Sequence, residues 1–168
     1  MEDLFYTCDH FPEVGKKYVD EALSLSYVER LTPSLFIGGL AQTFADTEFY
    51  KNLSTSLPCS SPLYVKWPAN TYYTWHVDGF NRQASLNIPL IASDKCVTMF
   101  KTKKENSKFE NLFQVPYIMY KPTILNVRQE HGVFNFSSQD RYVLNLSFNT
   151  VPYKVVIEYF KNLKVVNY

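Results

Sequence analysis

His76-Val-Asp78 places an imidazole and a carboxylate two residues apart, inside the run Tyr72-Tyr-Thr-Trp-His-Val-Asp78. On a strand, residues two apart point to the same side, so both groups emerge together. They supply two ligands of a two-histidine, one-carboxylate metal site with open positions, the ligand set of non-haem iron(II) centres. The third ligand of such a site is usually a distant histidine. His131 lies 53 residues after Asp78, in Glu-His-Gly-Val-Phe-Asn135. Arg141 follows ten residues later, at the start of a strongly alternating segment. A buried guanidinium cannot shed its charge and needs an anionic partner. A dicarboxylate bound to the metal would provide one through a bidentate pair. Singly, each residue has an ordinary explanation: a chance H-x-D, a turn histidine, a surface arginine. Order and spacing together point to a site.

The elements that must position these groups are short strands. Runs rich in β-branched and aromatic residues stand near 63–67, 72–78, 83–91, 96–102, 112–119, 123–127, 131–134, 141–149 and 153–160, separated by turn residues. Many short strands at close spacing predict a sandwich or barrel. In Arg141–Phe148, Tyr142, Leu144, Leu146 and Phe148 form one face, and Arg141, Val143, Asn145 and Ser147 the other. Leu86, Ile88 and Leu90 likewise oppose Ser85 and Asn87. In the His76 segment, parity puts Tyr73, Trp75 and Val77 opposite Tyr72, Thr74, His76 and Asp78. If the second faces converge, they line a polar pocket; ordinary solvent exposure of one sheet face is the alternative.

The first third reads as partly helical. Apolar residues recur at helical spacing from Lys16 to Leu31, with an end at Thr32-Pro33. A second helix is expected from about Asp46 to Leu53, capped by Asp46 or Thr43. The Ser- and Pro-rich stretch 54–62 reads as a connector. Helices first and strands after predict helices packed on the outside of one sheet. The expectation is a single domain over 1–168, with 1–62 as a helical support region and 63–160 as the β core.

Composition narrows the partners. The 168 residues are 46% apolar and 20% charged, which predicts a folded chain with a real core. A net charge of +1 argues against a nucleic-acid binder. The lysine-rich stretch Lys101–Lys108 reads as a solvated loop. Cys8, Cys59 and Cys96 show no C-x-x-C spacing and suggest a reduced, cytoplasmic setting. Cys8 and His10 alone are a weak metal signal. No secretory signal and no membrane-spanning run is expected.

The order H-x-D, distal His, then Arg resembles the Fe(II)- and 2-oxoglutarate-dependent dioxygenases. The text that carries the likeness is Trp75-His-Val-Asp-Gly79, Leu86-Asn-Ile-Pro-Leu90, His131-Gly-Val-Phe-Asn135 and Arg141-Tyr-Val-Leu-Asn145, covering roughly residues 64–150. It looks most like the aspartyl/asparaginyl β-hydroxylase-like group and short prolyl-hydroxylase-like members, including small versions carried by phages. The resemblance implies a mainly β chain folded as a double-stranded β-helix, the jelly-roll or cupin-like architecture. It implies Fe(II) on His76, Asp78 and His131, and 2-oxoglutarate chelating that iron with its far carboxylate on Arg141. O2 would be the second cosubstrate and ascorbate a stimulant. The implied reaction hydroxylates an amino-acid side chain, free or in a peptide, and releases succinate and CO2. Through the phage relatives it also admits a virus-encoded protein acting in the host cytoplasm.

There are departures. Aspartyl β-hydroxylases often lack the carboxylate that Asp78 provides. Asn87 stands where their H-I-P-L stretch has histidine, and Val143 removes the R-x-S pairing of some members. A second donor to the cosubstrate carboxylate must come from elsewhere, and inner-face parity nominates Tyr72 and Asn87. Arg82 could meet a substrate carboxylate, although a turn arginine is more often solvated. Two other functions compete: a cupin-type metal enzyme that does not use 2-oxoglutarate, and a non-enzymatic jelly-roll binding module. The first would gather more histidines. The second predicts no convergence of His76, Asp78, His131 and Arg141.

Overall fold

The structure, a computed structural model, describes residues 3–9, 11–29, 34–79, 81–103 and 108–163. His10, the helix end at Thr32-Pro33 and the middle of the lysine stretch lie outside the described residues. The elements in chain order are β1 (Phe5–Thr7), α1 (Lys16–Ser24), β2 (Val28–Glu29), β3 (Phe36–Leu40), α2 (Gln42–Ala45), α3 (Glu48–Ser56), β4 (Leu63–Trp67), β5 (Thr71–His76), β6 (Ala84–Ile91), β7 (Cys96–Lys103), β8 (Glu110–Gln114), β9 (Thr123–Leu125), β10 (His131–Asn135), β11 (Arg141–Phe148) and α4 (Tyr153–Lys161). Among the described residues the strands form two antiparallel sheets. The larger runs β1-β9-β6-β11-β4-β3-β2, and the smaller runs β5-β10-β7-β8.

The alternation in β6 and β11 decides how the layers stack. Leu86, Ile88, Leu90, Leu144, Leu146 and Phe148 are buried on one side of the large sheet. There they share a core with Tyr18, Phe44, Phe49, Leu53, Val156 and Phe160 from the helices. This is the expected arrangement of helices on one sheet. The opposite faces of β6 and β11 meet in register, Asn145 beside Asn87 and Ser147 beside Ser85. That face is turned toward the small sheet, as Val143 packing with Val133 of β10 shows.

Four expectations change. Residues 153–160 form α4 and not a strand. Their β-branched and aromatic content suggests strand, but Tyr153, Val156, Ile157 and Phe160 are buried at helical spacing. With β11 already flanked by β4 and β6, core burial overrides local preference. The first helix stops at Ser24, and Val28–Glu29 pair with β3 instead. Tyr27 then packs against Gly38, where a Cβ would lie 2.8 Å from its ring. The N-terminal third is therefore not purely helical: it adds β1, β2 and β3 to the large sheet. The cap of α3 is Thr47, whose hydroxyl accepts from the Tyr50 N–H at 3.1 Å, rather than Asp46 or Thr43. No helix among the described residues is long and apolar enough to cross a membrane.

Candidate metal centre and cosubstrate pocket

Between the sheets lies a cavity of about 360 Å³. His76 and Asp78 reach it from the end of β5, and His131 from the start of β10. The register explains how. β5 and β10 pair His76 with His131 and Tyr73 with Val133, so β5 carries one extra residue between the pairs. Such a bulge re-aims side chains, as is common beside active sites. Here it sets the two imidazoles side by side, with ring centroids 4.3 Å apart and the planes tilted by 52°.

The ligand atoms of His76, Asp78 and His131 lie within 4.8 Å of one another. Asp78 Oδ1 is 3.3 Å from His76 Nε2 and 3.8 Å from His131 Nε2. The other ring nitrogens face backbone carbonyls: His76 Nδ1 meets Thr74 O at 2.7 Å, and His131 Nδ1 meets Gln129 O at 2.9 Å. A carbonyl only accepts, so each Nδ1 carries its proton, which leaves Nε2 as the nitrogen that can ligate inward. Two lone pairs and a carboxylate oxygen pointing at one spot repel unless a cation lies among them. The Asp78 backbone is clamped as well. Its N–H donates to Val127 O at 3.0 Å, and Arg128 Nη1 donates to its carbonyl at 2.9 Å.

The local electrostatics prepare the same trio. Burial alone would raise the Asp78 carboxyl. The neighbouring His76, the Arg82 guanidinium and His131 offset this and hold it below the ordinary carboxylate value. Burial, with His76 beside it, pushes the His131 imidazole below its usual 6.5. A lowered folded value means that the unfolded chain takes up the proton first. His131 thus contributes stability that is complete above about 6.5 and is lost as pH falls toward the lowered value. Metal-stripped protein should show a Tm that declines below about pH 6.5, and His131→Gln should flatten the decline. An equally steep profile in the variant would remove His131 as its cause.

The other nominated residues fare differently. Asn87 is buried and lines the cavity, where it accepts from Asn145 Nδ2 at 2.6 Å and donates to the Tyr117 hydroxyl at 3.3 Å. Tyr72 is 63% exposed and is not brought to the cavity. The bulge in β5 breaks the simple parity, so Tyr73 shares the inner side with His76 and packs against it in a tilted contact, ring centroids 4.0 Å apart. Arg141 is 1% exposed on the inner face of β11. It stands one layer back from the cavity surface, over the ring of Trp67, which does line the cavity, at 5.1 Å.

Sequence reasoning missed several neighbours of Arg141. Tyr117 lies under its guanidinium at 4.7 Å, and Thr98 Oγ1 accepts from its Nη1 at 3.3 Å. Thr98 was legible in principle, because it alternates with the buried Cys96 and Phe100 along β7. Arg82 is not a solvated turn residue: it pairs with Asp78 and lines the cavity. Leu35 and Ile37, from the region expected to be helical, join Leu63 and Val65 in an apolar cavity wall.

No protein-family model matches the chain, and no curated protein matches it in sequence. Solved structures do match its shape. HygX from Streptomyces hygroscopicus, with nickel and 2-oxoglutarate bound, superposes with a TM-score of 0.61 at 10% identity, over 89% of this chain and 84% of that one. A prolyl hydroxylase from Trichoplax adhaerens, in complex with a hypoxia inducible factor peptide fragment, gives 0.60 at 14% identity, over 88% and 84%. A Pseudomonas putida prolyl-4-hydroxylase gives 0.54 at 16%, over 88% and 92%. The fold is that of the 2OG-Fe(II) oxygenases. In this oxygenase fold the paired sheets are the expected double-stranded β-helix.

The residues present fit the groups that such a fold carries. The inward trio offers the nitrogen and oxygen donors suited to Fe(II). Among the described residues no carboxylate forms an ion pair with Arg141. Its Nε and the neighbouring Trp67 Nε1 are buried without hydrogen-bond partners. Orphaned donors beside a buried cation are a site for a carboxylate.

Proposed function

We propose that this chain is an Fe(II)- and 2-oxoglutarate-dependent oxygenase that hydroxylates an amino-acid side chain, free or within a peptide. One observation carries the reading: His76 Nε2, Asp78 Oδ1 and His131 Nε2 converge at a cavity, and behind its Trp67 wall stands a buried arginine that no carboxylate among the described residues pairs. The three side chains would hold the metal. Arg141 would receive the far carboxylate of 2-oxoglutarate, with Thr98 and Tyr117 rather than Tyr72 as the second donors. Asn87 would border the cosubstrate. When bound, Fe(II), 2-oxoglutarate and O2 supply the chemistry, turning cosubstrate into succinate and CO2 and placing a hydroxyl on a C–H carbon of the substrate.

The chain's own residues do the rest. The Thr74 and Gln129 carbonyls lock the imidazoles with Nε2 inward. Leu35, Ile37, Leu63 and Val65 make one part of the large-sheet wall apolar, while Asn145 and Ser147 on the neighbouring strand β11 give the adjoining part hydrogen-bonding groups. A mainly apolar cavity with a few hydrogen-bonding groups suits an amino-acid side chain with its backbone amides. The peptide held by the Trichoplax enzyme supports a peptide substrate. Free Cys8, Cys59 and Cys96 support a cytoplasmic setting, in host cytoplasm if the chain is virus-encoded. The chain is taken as one domain, with residues 1–62 shaping the cavity through β3 as well as supporting the sheet.

The test is succinate formation from 2-oxoglutarate with Fe(II), ascorbate and O2. Slow turnover is expected even without the prime substrate, and addition of a substrate peptide or amino acid should accelerate it. Wild-type protein that makes no succinate above a metal-chelated control would defeat the proposal.

A further inference from the structure

We propose that Arg82 is a positioning residue for the metal-binding carboxylate, an assignment that rests on the metal site proposed above. Asp78 divides its two oxygens between different tasks. Oδ1 faces the two imidazole nitrogens, whereas Oδ2 lies 3.0 Å from Arg82 Nη1. Oδ2 has no well-directed hydrogen-bond donor, so the contact is an ion pair that holds the oxygen by charge. The Asp78 side chain is only 11% exposed, which limits screening by salt.

The guanidinium is anchored away from its own turn. Its Nη2 donates to Ser85 Oγ at 2.9 Å and to Asn145 Oδ1 at 3.1 Å. Asn145 is fixed in turn, its Nδ2 donating to Ser85 Oγ at 2.8 Å and to Asn87 Oδ1 at 2.6 Å. These side chains stand on β6 and β11, neighbours in the middle of the large sheet. The Arg82 N–H also donates to Gly79 O at 3.0 Å, closing the turn that follows Asp78. A solvated turn arginine would show none of this. Arg82 Nε, moreover, is buried without a partner, a cost that a merely structural surface arginine would avoid by turning to water.

The consequence concerns ligation. With Oδ2 held outward by a cation, the carboxylate offers the metal one oxygen. It cannot swing round to give both and occupy a position that cosubstrate and O2 require. Groups behind a ligand commonly tune metal affinity in this way.

The experiment is a Co(II) titration of the full chain, followed by the visible absorption bands of the bound ion. Wild type should bind one equivalent. Arg82→Met should weaken Co(II) binding by roughly 10–100-fold and change the band shape as the carboxylate turns. Arg82→Lys restores the charge but cannot span both Asp78 and Asn145, so it should fall between the two. Unchanged affinity and spectrum in folded Arg82→Met, with only a lower Tm, would overturn the positioning role. Should Arg82→Met fail to fold, Arg82→Lys decides: wild-type affinity and bands overturn the role, and weakened binding with altered bands supports it. Wild type that binds no Co(II) would instead sink the metal reading, and the role of Arg82 with it.

Discussion

Asp78→Ala is expected to reduce succinate formation to the level of the metal-free protein. The carboxylate is the one anion in the trio, and it stands against two imidazoles and the Arg82 guanidinium. Its removal takes away a ligand and the charge that offsets a divalent cation. It also leaves the Arg82 cation facing the metal position, where it repels. The loss of metal affinity should exceed the roughly 10–100-fold typical of changes behind a ligand, because a ligand itself is gone. Asp78→Asn separates the two effects. It keeps an oxygen donor of the same reach but cancels the charge, so it should bind metal better than Asp78→Ala and still far below wild type. The fold should survive both changes. Arg82 keeps Ser85 and Asn145 as partners and is a third exposed, so the stability cost should be small. Succinate at the wild-type rate in folded Asp78→Ala would remove Asp78 from the site.

What the sequence disclosed about this site follows from where strand periodicity holds. β11 alternates along its length, and β6 alternates through Ser85 and Asn87, its irregularity lying further on, between Pro89 and Ile91. The inner positions of Asn87, Arg141 and Asn145, and the core positions of Leu86 and Leu144, were therefore legible from residue types alone. β5 is different. One inserted residue between Tyr73 and His76 flips the face, and nothing in Tyr72-Tyr-Thr-Trp-His76 marks the insertion, because every residue there suits a strand. Tyr72 was thus assigned inward and lies outward. α4 failed for a related reason. Val155, Val156 and Ile157 favour strand locally, while the decision rests with the exposed core on the back of β6 and β11. The N-terminal strands are short and pair with distant segments, β1 with β9 and β3 with β4, so no local pattern announces them. Arg82 was misjudged because a turn is read as solvent-facing, and only the folded turn directs its side chain back to Asp78.

Arg141→Met should uncouple stability from cosubstrate use. In the structure the guanidinium is fully buried over the rings of Trp67 and Tyr117, with Thr98 as its hydrogen-bond acceptor and no ion-paired carboxylate among the described residues. A buried charge without an anion is a desolvation cost that stacking and one neutral hydrogen bond offset only in part. Methionine keeps much of the volume and removes the charge. The cosubstrate-free variant is therefore expected to melt at or above the wild-type temperature, unlike most substitutions at buried positions. The same change removes the partner of the distal carboxylate. The KM for 2-oxoglutarate should rise by at least about tenfold, the equivalent of roughly 1.4 kcal/mol or more of a charge-assisted pair, while Co(II) affinity stays at the wild-type value. Thermal shift reads both halves at once. Saturating 2-oxoglutarate with metal should raise the wild-type Tm, since a ligand at 100 times its Kd stabilises by about 2.7 kcal/mol, and should do little for Arg141→Met. Arg141→Lys tests the geometry: a point charge should recover part of the shift but not the bidentate pairing. An Arg141→Met protein whose Tm still climbs with 2-oxoglutarate as wild type does would place the distal carboxylate elsewhere in the cavity.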